Sequence, residues 1–99
     1  MKKAGRRIRT EHLDVRAADS LLSHARVTVI VAKHGHTIVE RNRLRRRLKE
    51  LARTRIIPRL SAVDVVVRSQ PAAYDASFEV LDKEVEKITQ ELVLEMQEQ

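Results

Sequence analysis

Three stretches of the chain carry the apolar patterns that β-strands require. In residues 8–16, Leu13 and Val15 share one face and polar residues the other, which predicts one or two strand segments. Residues 26–32 and 62–68 are rich in β-branched residues, and each predicts a strand. Because residues 26–32 are apolar on both faces, we expect a central strand or one covered by helices. The small and polar residues 17–24 predict a loop that joins a hairpin.

Two further stretches repeat apolar residues every three or four positions, as amphipathic helices do. Residues 39–53 place Leu44, Leu48, Leu51 and Ala52 on one stripe, and Pro58 lies at or just beyond its end. Residues 74–96 form the second predicted helix, which Asp75 or Ser77 would cap. Its apolar positions, all expected in the core, are Phe78, Leu81, Val85, Ile88 and Leu92.

The order strand, strand, helix, strand, helix predicts an α/β two-layer sandwich with a small mixed sheet. Residues 27–67 would form a strand–helix–strand crossover. A chain of 99 residues is long enough for one domain. We assign that domain to residues 7–96 and a flexible basic arm to residues 1–6.

Composition excludes several classes of function. The chain has no Cys, so disulfides, thiolate metal sites and cysteine nucleophiles are excluded. Its longest apolar stretch, residues 27–32, is far shorter than the roughly 20 residues that span a bilayer. The basic start is followed by no apolar segment of a secretory signal. We therefore expect a cytoplasmic protein with no membrane partner.

The charge of the chain is strongly divided along its length. Residues 1–68 hold 18 Lys and Arg against 6 Asp and Glu, whereas residues 69–99 hold 2 against 8. Fourteen of the 20 basic residues are Arg, whose planar guanidinium suits phosphate oxygens and base edges. This division indicates a polyanion-binding surface on one part of the fold and an acidic helix away from it.

The first predicted helix holds most of the candidate binding chemistry. Seven of the thirteen residues 41–53 are Arg or Lys, and only Glu50 opposes them. Like charges at neighbouring helix positions cost a few tenths of a kcal/mol each, a cost that bound phosphates would remove. The alternative to phosphate binding is a solvated helix face, although such faces usually carry both positive and negative charges. Asn42 lies within the run, either at the helix start or as a contact residue.

The remaining polar residues give little support for catalysis. His34 and His36 lie two residues apart in a predicted loop, but no Cys or carboxylate cluster completes a metal site. Asp64 alternates with valines in a strand, where a neighbouring Arg is its expected partner. Tyr74 is expected to pack rather than to stack on a ligand. There is no paired-carboxylate motif, nucleophile elbow or Gly-rich phosphate loop.

The basic helix resembles the central helix of the bacterial ribonuclease P protein component. That family has an Arg-Asn-Arg motif followed by an aliphatic and two basic residues. The matching residues here are Arg41, Asn42, Arg43, Leu44, Arg45 and Arg46. The flanks also resemble the family in order and spacing, namely a strand leading to Lys33, Asp64 to Arg68 with Pro71, and Ser77-Phe78-Glu79. The likeness covers residues 5 to 92.

The resemblance implies a fold and a function. The fold would be a ribosomal protein S5 domain 2-like sandwich with a left-handed crossover, contrary to the usual rule. The chain would assist a catalytic RNA that removes the 5′ leader from precursor tRNA. In that family the RNA cleaves the bond with Mg²⁺ that it binds itself, so no cofactor and no catalytic residue is expected in this chain.

The resemblance also implies two sets of contact residues. The partners would be the ribonuclease P catalytic RNA and precursor tRNA. The resemblance and the basic face of the predicted helix together imply a set of residues that would contact the catalytic RNA. These are Lys33, Arg41, Asn42, Arg43, Arg45, Arg46, Lys49 and Arg53. A shallow cleft on the sheet would hold the single-stranded leader, with Arg9, His12 and Arg68. The family's usual first helix, with its cleft-lining aromatic residues, is not found in this sequence.

Two other functions remain open from the sequence. The first is a ribosomal-type structural RNA-binding protein with no role in cleavage. The second is a DNA-binding module, which is less favoured because a strand, not a helix, precedes the basic helix. Structured RNA suits a helix that reads phosphates, since its deep major groove hides the base edges.

Overall fold

The computed structural model describes residues 5–33 and 35–97, with side chains as far as residue 95. Its strands are β1 (Arg6–Arg9), β2 (Leu13–Asp19), β3 (Arg26–Ile30) and β4 (Val63–Ser69), and its long helices are α1 (Ile38–Leu51) and α2 (Phe78–Gln97). A π-helical turn, Ala52–Ile56, and a 3₁₀ turn, Ile57–Arg59, continue α1, and a second 3₁₀ turn, Pro71–Asp75, precedes α2. The predicted order of elements is confirmed, except that the stretch predicted as one or two strand segments forms two strands, β1 and β2, so that three strands precede α1. Of the predicted arm, residues 1–4 lie outside the described residues, and Arg6 already belongs to β1.

The four strands form one mixed sheet in the order β1-β2-β4-β3. β1 with β2 and β2 with β4 are antiparallel pairs, and β3 runs parallel to β4. α1 therefore makes the crossover between two adjacent parallel strands. The predicted α/β two-layer sandwich is confirmed, and the left hand of the crossover stays a prediction.

One face of the sheet packs against the two helices and forms the core. β2 and β4 contribute alternate buried residues such as Leu13, Val15, Val65 and Val67, as the period of two requires. The leucine stripe of α1 is buried as predicted, and so are Leu81, Val85, Ile88 and Leu92 of α2. The opposite face of the sheet carries no helix among the described residues.

The start of α1 is fixed by a capping box. The Thr37 hydroxyl accepts a hydrogen bond from the Glu40 backbone N–H at 3.1 Å, and the Glu40 carboxylate accepts one from the Thr37 N–H at 2.9 Å. This reciprocal pair satisfies two backbone donors that a helix start leaves open. It fixes the residue at which α1 begins.

The sheet corrects three strand predictions. Residues 17–19, predicted as loop, continue β2 because they pair with β4 as far as Asp19 opposite Val63. The predicted hairpin of β2 with the following strand is wrong, since β4 inserts between them. β3 is an edge strand with Thr28 and Ile30 exposed, so it is neither central nor covered on both faces.

One core prediction is also wrong. Phe78 is 40% exposed, although it lies three residues before Leu81 and so continues the apolar stripe of α2. It is the first residue of α2, next to α1 and beyond the end of the core. The helix itself begins four residues later than predicted, because residues 71–75 form a 3₁₀ turn.

Candidate nucleic-acid interface

The outer face of α1 presents basic side chains in an unbroken surface. Of the predicted contact residues, the structure places on this helix the exposed Asn42, Arg43, Arg46 and Lys49 and the half-buried Arg41 and Arg45. Arg47, which the prediction omitted, is half-buried on the flank beside Arg43. Within residues 5–33 and 35–95, none of these cations forms an ion pair with a carboxylate. We call this surface the basic face of α1.

Two hydrogen-bonded pairs order the basic face. Arg45 donates from Nη1 to the Asn42 side-chain oxygen at 2.8 Å, so Asn42 positions a guanidinium as well as offering its amide. Arg53 donates to both carboxylate oxygens of Glu50, at 3.2 and 2.6 Å. These bonds lower the pKa of the Glu50 carboxyl. Among the described residues predicted to contact the catalytic RNA, Arg53 is thus the one whose charge is already matched by a carboxylate.

Lys33 and Arg41 lie towards the N-terminal end of α1. Lys33 is exposed in the connection from β3, and its carbonyl accepts a hydrogen bond from the His36 N–H at 2.8 Å. The Arg41 Nε is buried and finds no hydrogen-bond partner within the described part of the chain. Arg41 is therefore partly a packing residue, which its position in the motif did not indicate.

An aromatic pair closes the start of α1. The rings of His36 and Tyr74 stack with their centroids 3.6 Å apart, and the Tyr74 hydroxyl donates to the Ala32 carbonyl. Burial raises the pKa of Tyr74. The pKa of Glu40 is lowered, first by the Thr37 backbone N–H and then by His36. Tyr74 was expected to pack, and it does so through its stack on His36.

A second basic surface lies on the open face of the sheet. Arg9 and Arg68 lie on either side of Asp14, because Asp14 of β2 is opposite Arg9 on β1 and opposite Arg68 on β4. Together with Arg7 and Arg16 they line a groove of about 300 Å³. Sequence reasoning missed Arg7 and Arg16, although the strand period of two places them on the same face as Arg9 and Asp14. We call this surface the sheet groove.

His12 does not line the sheet groove. Its ring Nδ1 contacts the Glu84 carboxylate of α2, on the side of the sheet that the helices cover. The same carboxylate accepts a 2.6 Å hydrogen bond from the Thr10 hydroxyl. His12 therefore joins the β1–β2 turn to α2, a contact between distant segments that no local pattern reveals.

The described residues contain neither a candidate metal-binding cluster nor a candidate membrane-spanning helix. Among them, no three His, Asp or Glu side chains lie close enough to hold a metal ion. None of their helices is both long and apolar enough to cross a bilayer. His34, one of the two loop histidines, lies outside the described residues.

The structure is a small α/β domain whose mixed sheet is covered by helices on one side. The basic face of α1 and the basic groove on the open side of the sheet are suited to a polyanion. The family model described as Ribonuclease P matches residues 1–93. The chain therefore belongs to the ribonuclease P protein family, which confirms the resemblance of its sequence.

Known proteins agree with this assignment. The chain is 38% identical over 88 residues to the ribonuclease P protein component of Syntrophobacter fumaroxidans, a match that covers 86% of this chain and 72% of that protein. The fold is similar to the RNase P protein from Thermotoga maritima, with a TM-score of 0.75, 17% identity and coverage of 86% and 81% of the two chains. A Staphylococcus aureus RNase P protein mutant gives a TM-score of 0.73 at 21% identity, with coverage of 95% and 75%.

Family membership defines the assembly in which the chain acts. Ribonuclease P protein components work with the ribonuclease P RNA, in a ribonucleoprotein that cleaves precursor tRNA.

Proposed function

We propose that the basic face of α1 binds the catalytic RNA of ribonuclease P and that the sheet groove contacts the 5′ leader of precursor tRNA. The protein acts in the cytoplasm as the RNA-binding subunit of tRNA 5′ processing. The RNA carries out the hydrolysis with Mg²⁺ that it binds itself. The single observation that carries the proposal is the set of unmatched cations on α1.

The distribution of ion pairs supports the choice of surface. Several arginines outside α1 are held by carboxylates, as in Arg26 with Asp64 at 2.9 Å and Arg59 with Glu86 at 2.7 Å. Arg55 likewise reaches Asp82 at 2.9 Å. Arg55 and Arg59 are thus matched by carboxylates of α2, whereas the cations on the basic face of α1 have no carboxylate partner among the described residues. Each unmatched cation that meets a phosphate releases a condensed counterion, which favours RNA binding.

The sheet groove supports a contact with a single strand. Its floor is the open face of the antiparallel strands β1, β2 and β4, and its four arginines surround one carboxylate. Asp14 is held by Arg7, so Arg9, Arg16 and Arg68 keep their charges for a ligand. A shallow, basic surface of this kind binds a phosphate backbone without selecting a base sequence.

The carboxylates near these surfaces are poorly suited to general base catalysis. Asp14, Asp64 and Glu50 each accept two hydrogen bonds from one arginine. Those bonds lower the pKa of all three carboxyls, whereas an efficient general base has a pKa near the working pH. This favours hydrolysis by the partner RNA.

Binding to a bacterial ribonuclease P RNA across a range of salt concentrations tests the role of α1. Arg45→Ala/Lys49→Ala removes two cations from its basic face, and Lys83→Ala/Lys87→Ala removes two exposed cations from α2. We expect the first variant to bind more weakly and its salt slope to fall by about 1.4 to 1.8, corresponding to two phosphates. The second variant should keep the wild-type slope. Equal slopes for the two variants would overturn the assignment of α1.

The leader contact is tested with the reconstituted ribonucleoprotein. We expect Arg9→Gln/Arg68→Gln to lose most of the preference for a precursor with a long leader over one with a single-nucleotide leader. Lys83→Gln/Lys87→Gln is the control of equal charge and should keep that preference. A preference that survives in the groove variant would show that the leader lies elsewhere.

A further inference from the structure

The chain has one Tyr, one Phe and no Trp, and it leaves its Phe at the surface. Phe78 lines a groove of about 410 Å³ between the start of α2 and the flank of α1. The other side chains of this groove are Arg43, Arg46, Arg47 and Glu50. An exposed aromatic ring among arginines is the combination that binds single-stranded nucleic acid, because the ring stacks on bases while the cations meet phosphates.

The charge of the Phe78 groove favours an anionic occupant. Its one carboxylate, Glu50, is already held by two hydrogen bonds from Arg53. Arg43, Arg46 and Arg47 have no carboxylate partner within the described part of the chain. The adjoining cavity of about 140 Å³ is less suitable, since Glu40 and Asp75 line it and Tyr74 is already stacked on His36.

We infer that Phe78, with Arg43 and Arg46, forms a subsite that stacks an unpaired nucleotide of the partner RNA. The subsite rests on the proposed RNA-binding function of α1. It lies on the helix layer and is separate from the sheet groove proposed for the leader. A base would lie on the Phe78 ring, and its phosphates would lie along the arginines of α1.

The absence of Trp permits a direct test. Phe78→Trp places a single fluorophore in the groove, and Val80→Trp places one at a nearby α2 position that is 39% exposed, against 40% for Phe78. Each variant is titrated with single-stranded oligouridylate, with the same strand annealed to oligoadenylate, and with a bacterial ribonuclease P RNA. Binding of each RNA is followed separately by the anisotropy of a label on the RNA.

Stacking predicts quenching of the Phe78→Trp emission by the single strand and by the ribonuclease P RNA, with much less quenching by the duplex. The Val80→Trp emission should change little with any of them. If the two fluorophores respond equally while the RNA binds, the subsite is wrong and the proposed function stands. If the wild-type chain binds none of these RNAs, both are wrong.

Affinity gives an independent measurement. Phe78→Ala should weaken binding of the single strand by about 5- to 150-fold, the range expected for one stacked base. Its salt slope should equal that of the wild type, because the ring neutralises no phosphate. Arg46→Ala should instead flatten the slope. An unchanged affinity of Phe78→Ala for the single strand would overturn the proposal.

Discussion

Arg7 donates two hydrogen bonds to the carboxylate of Asp14, at 3.1 Å from Nε and 2.9 Å from Nη2. The two residues lie on neighbouring strands, on the open face of the sheet. Their pairing removes one positive charge from the sheet groove and fixes the side chains at its floor. The groove therefore combines a structural ion pair with arginines that remain unmatched.

The Arg7–Asp14 pair predicts a loss of stability in acid. The hydrogen bond from Arg7 is the main cause of the lowered pKa of Asp14. A lowered folded-state pKa stabilises the fold above the unfolded value of about 3.9, and this contribution is lost as the pH falls through the folded value. We expect a double-mutant cycle of Arg7→Gln and Asp14→Asn, measured by denaturant unfolding, to give a favourable coupling at pH 7 that disappears in acid. A coupling that is constant down to pH 2 would contradict this account.

The His12 contact predicts a structural role for a residue that the sequence placed in the leader cleft. His12→Ala should lower the free energy of unfolding by about 1 to 3 kcal/mol, because it removes a contact to the half-buried Glu84 carboxylate. The salt slope for precursor tRNA binding should not change. Arg9→Ala should show the opposite pattern, with little loss of stability and a flatter slope. A His12→Ala variant of wild-type stability would contradict the structural role.

The leucine stripe of α1 predicts a large packing effect. Leu48 is 1% exposed, so Leu48→Ala should reduce the free energy of unfolding by about 2 to 5 kcal/mol. Val39 is on the same helix but 68% exposed, and Val39→Ala should stay within about 0.5 kcal/mol of the wild type. Chemical denaturation of the two variants measures both values. Similar losses would show that α1 does not dock through its leucines.

The capping box predicts a smaller effect at the start of α1. Thr37→Ala removes the acceptor of the Glu40 N–H and should cost about 1 kcal/mol. Thr37→Ser keeps the hydroxyl and should restore stability. Denaturant unfolding of the three proteins makes the comparison. A Ser variant as unstable as the Ala variant would assign the effect to the lost methyl group rather than to the cap.

Local periodicity was sufficient to predict most of the elements. The stripe of Leu44, Leu48 and Leu51 fixes both the helix and its buried side, so the opposite basic face followed directly. An arginine was predicted as the partner of Asp64, and Arg26 stands opposite it on the adjacent strand. The helix depends on residues that are close in sequence and on a strongly repeated pattern, whereas Arg26 and Asp64 are 38 residues apart, and only the residue type of the partner could be predicted.

Features that depend on long-range pairing could not be predicted from the pattern. The position of β4 between β2 and β3 is decided by contacts across the whole chain, and it made β3 an edge strand. The link from His12 to Glu84 joins residues 72 apart in sequence. Phe78 has the correct periodicity for the core, but it is the first residue of α2 and lies beyond the core.

Cleavage of precursor tRNA by a bacterial ribonuclease P RNA at low Mg²⁺ tests whether the protein acts through the basic face of α1. We expect the wild-type protein to stimulate cleavage and Lys83→Ala/Lys87→Ala to stimulate it equally. Arg45→Ala/Lys49→Ala should require a much higher protein concentration for the same rate, because its affinity for the RNA is lower. Equal stimulation by both double variants, or no stimulation by the wild type, would contradict the account.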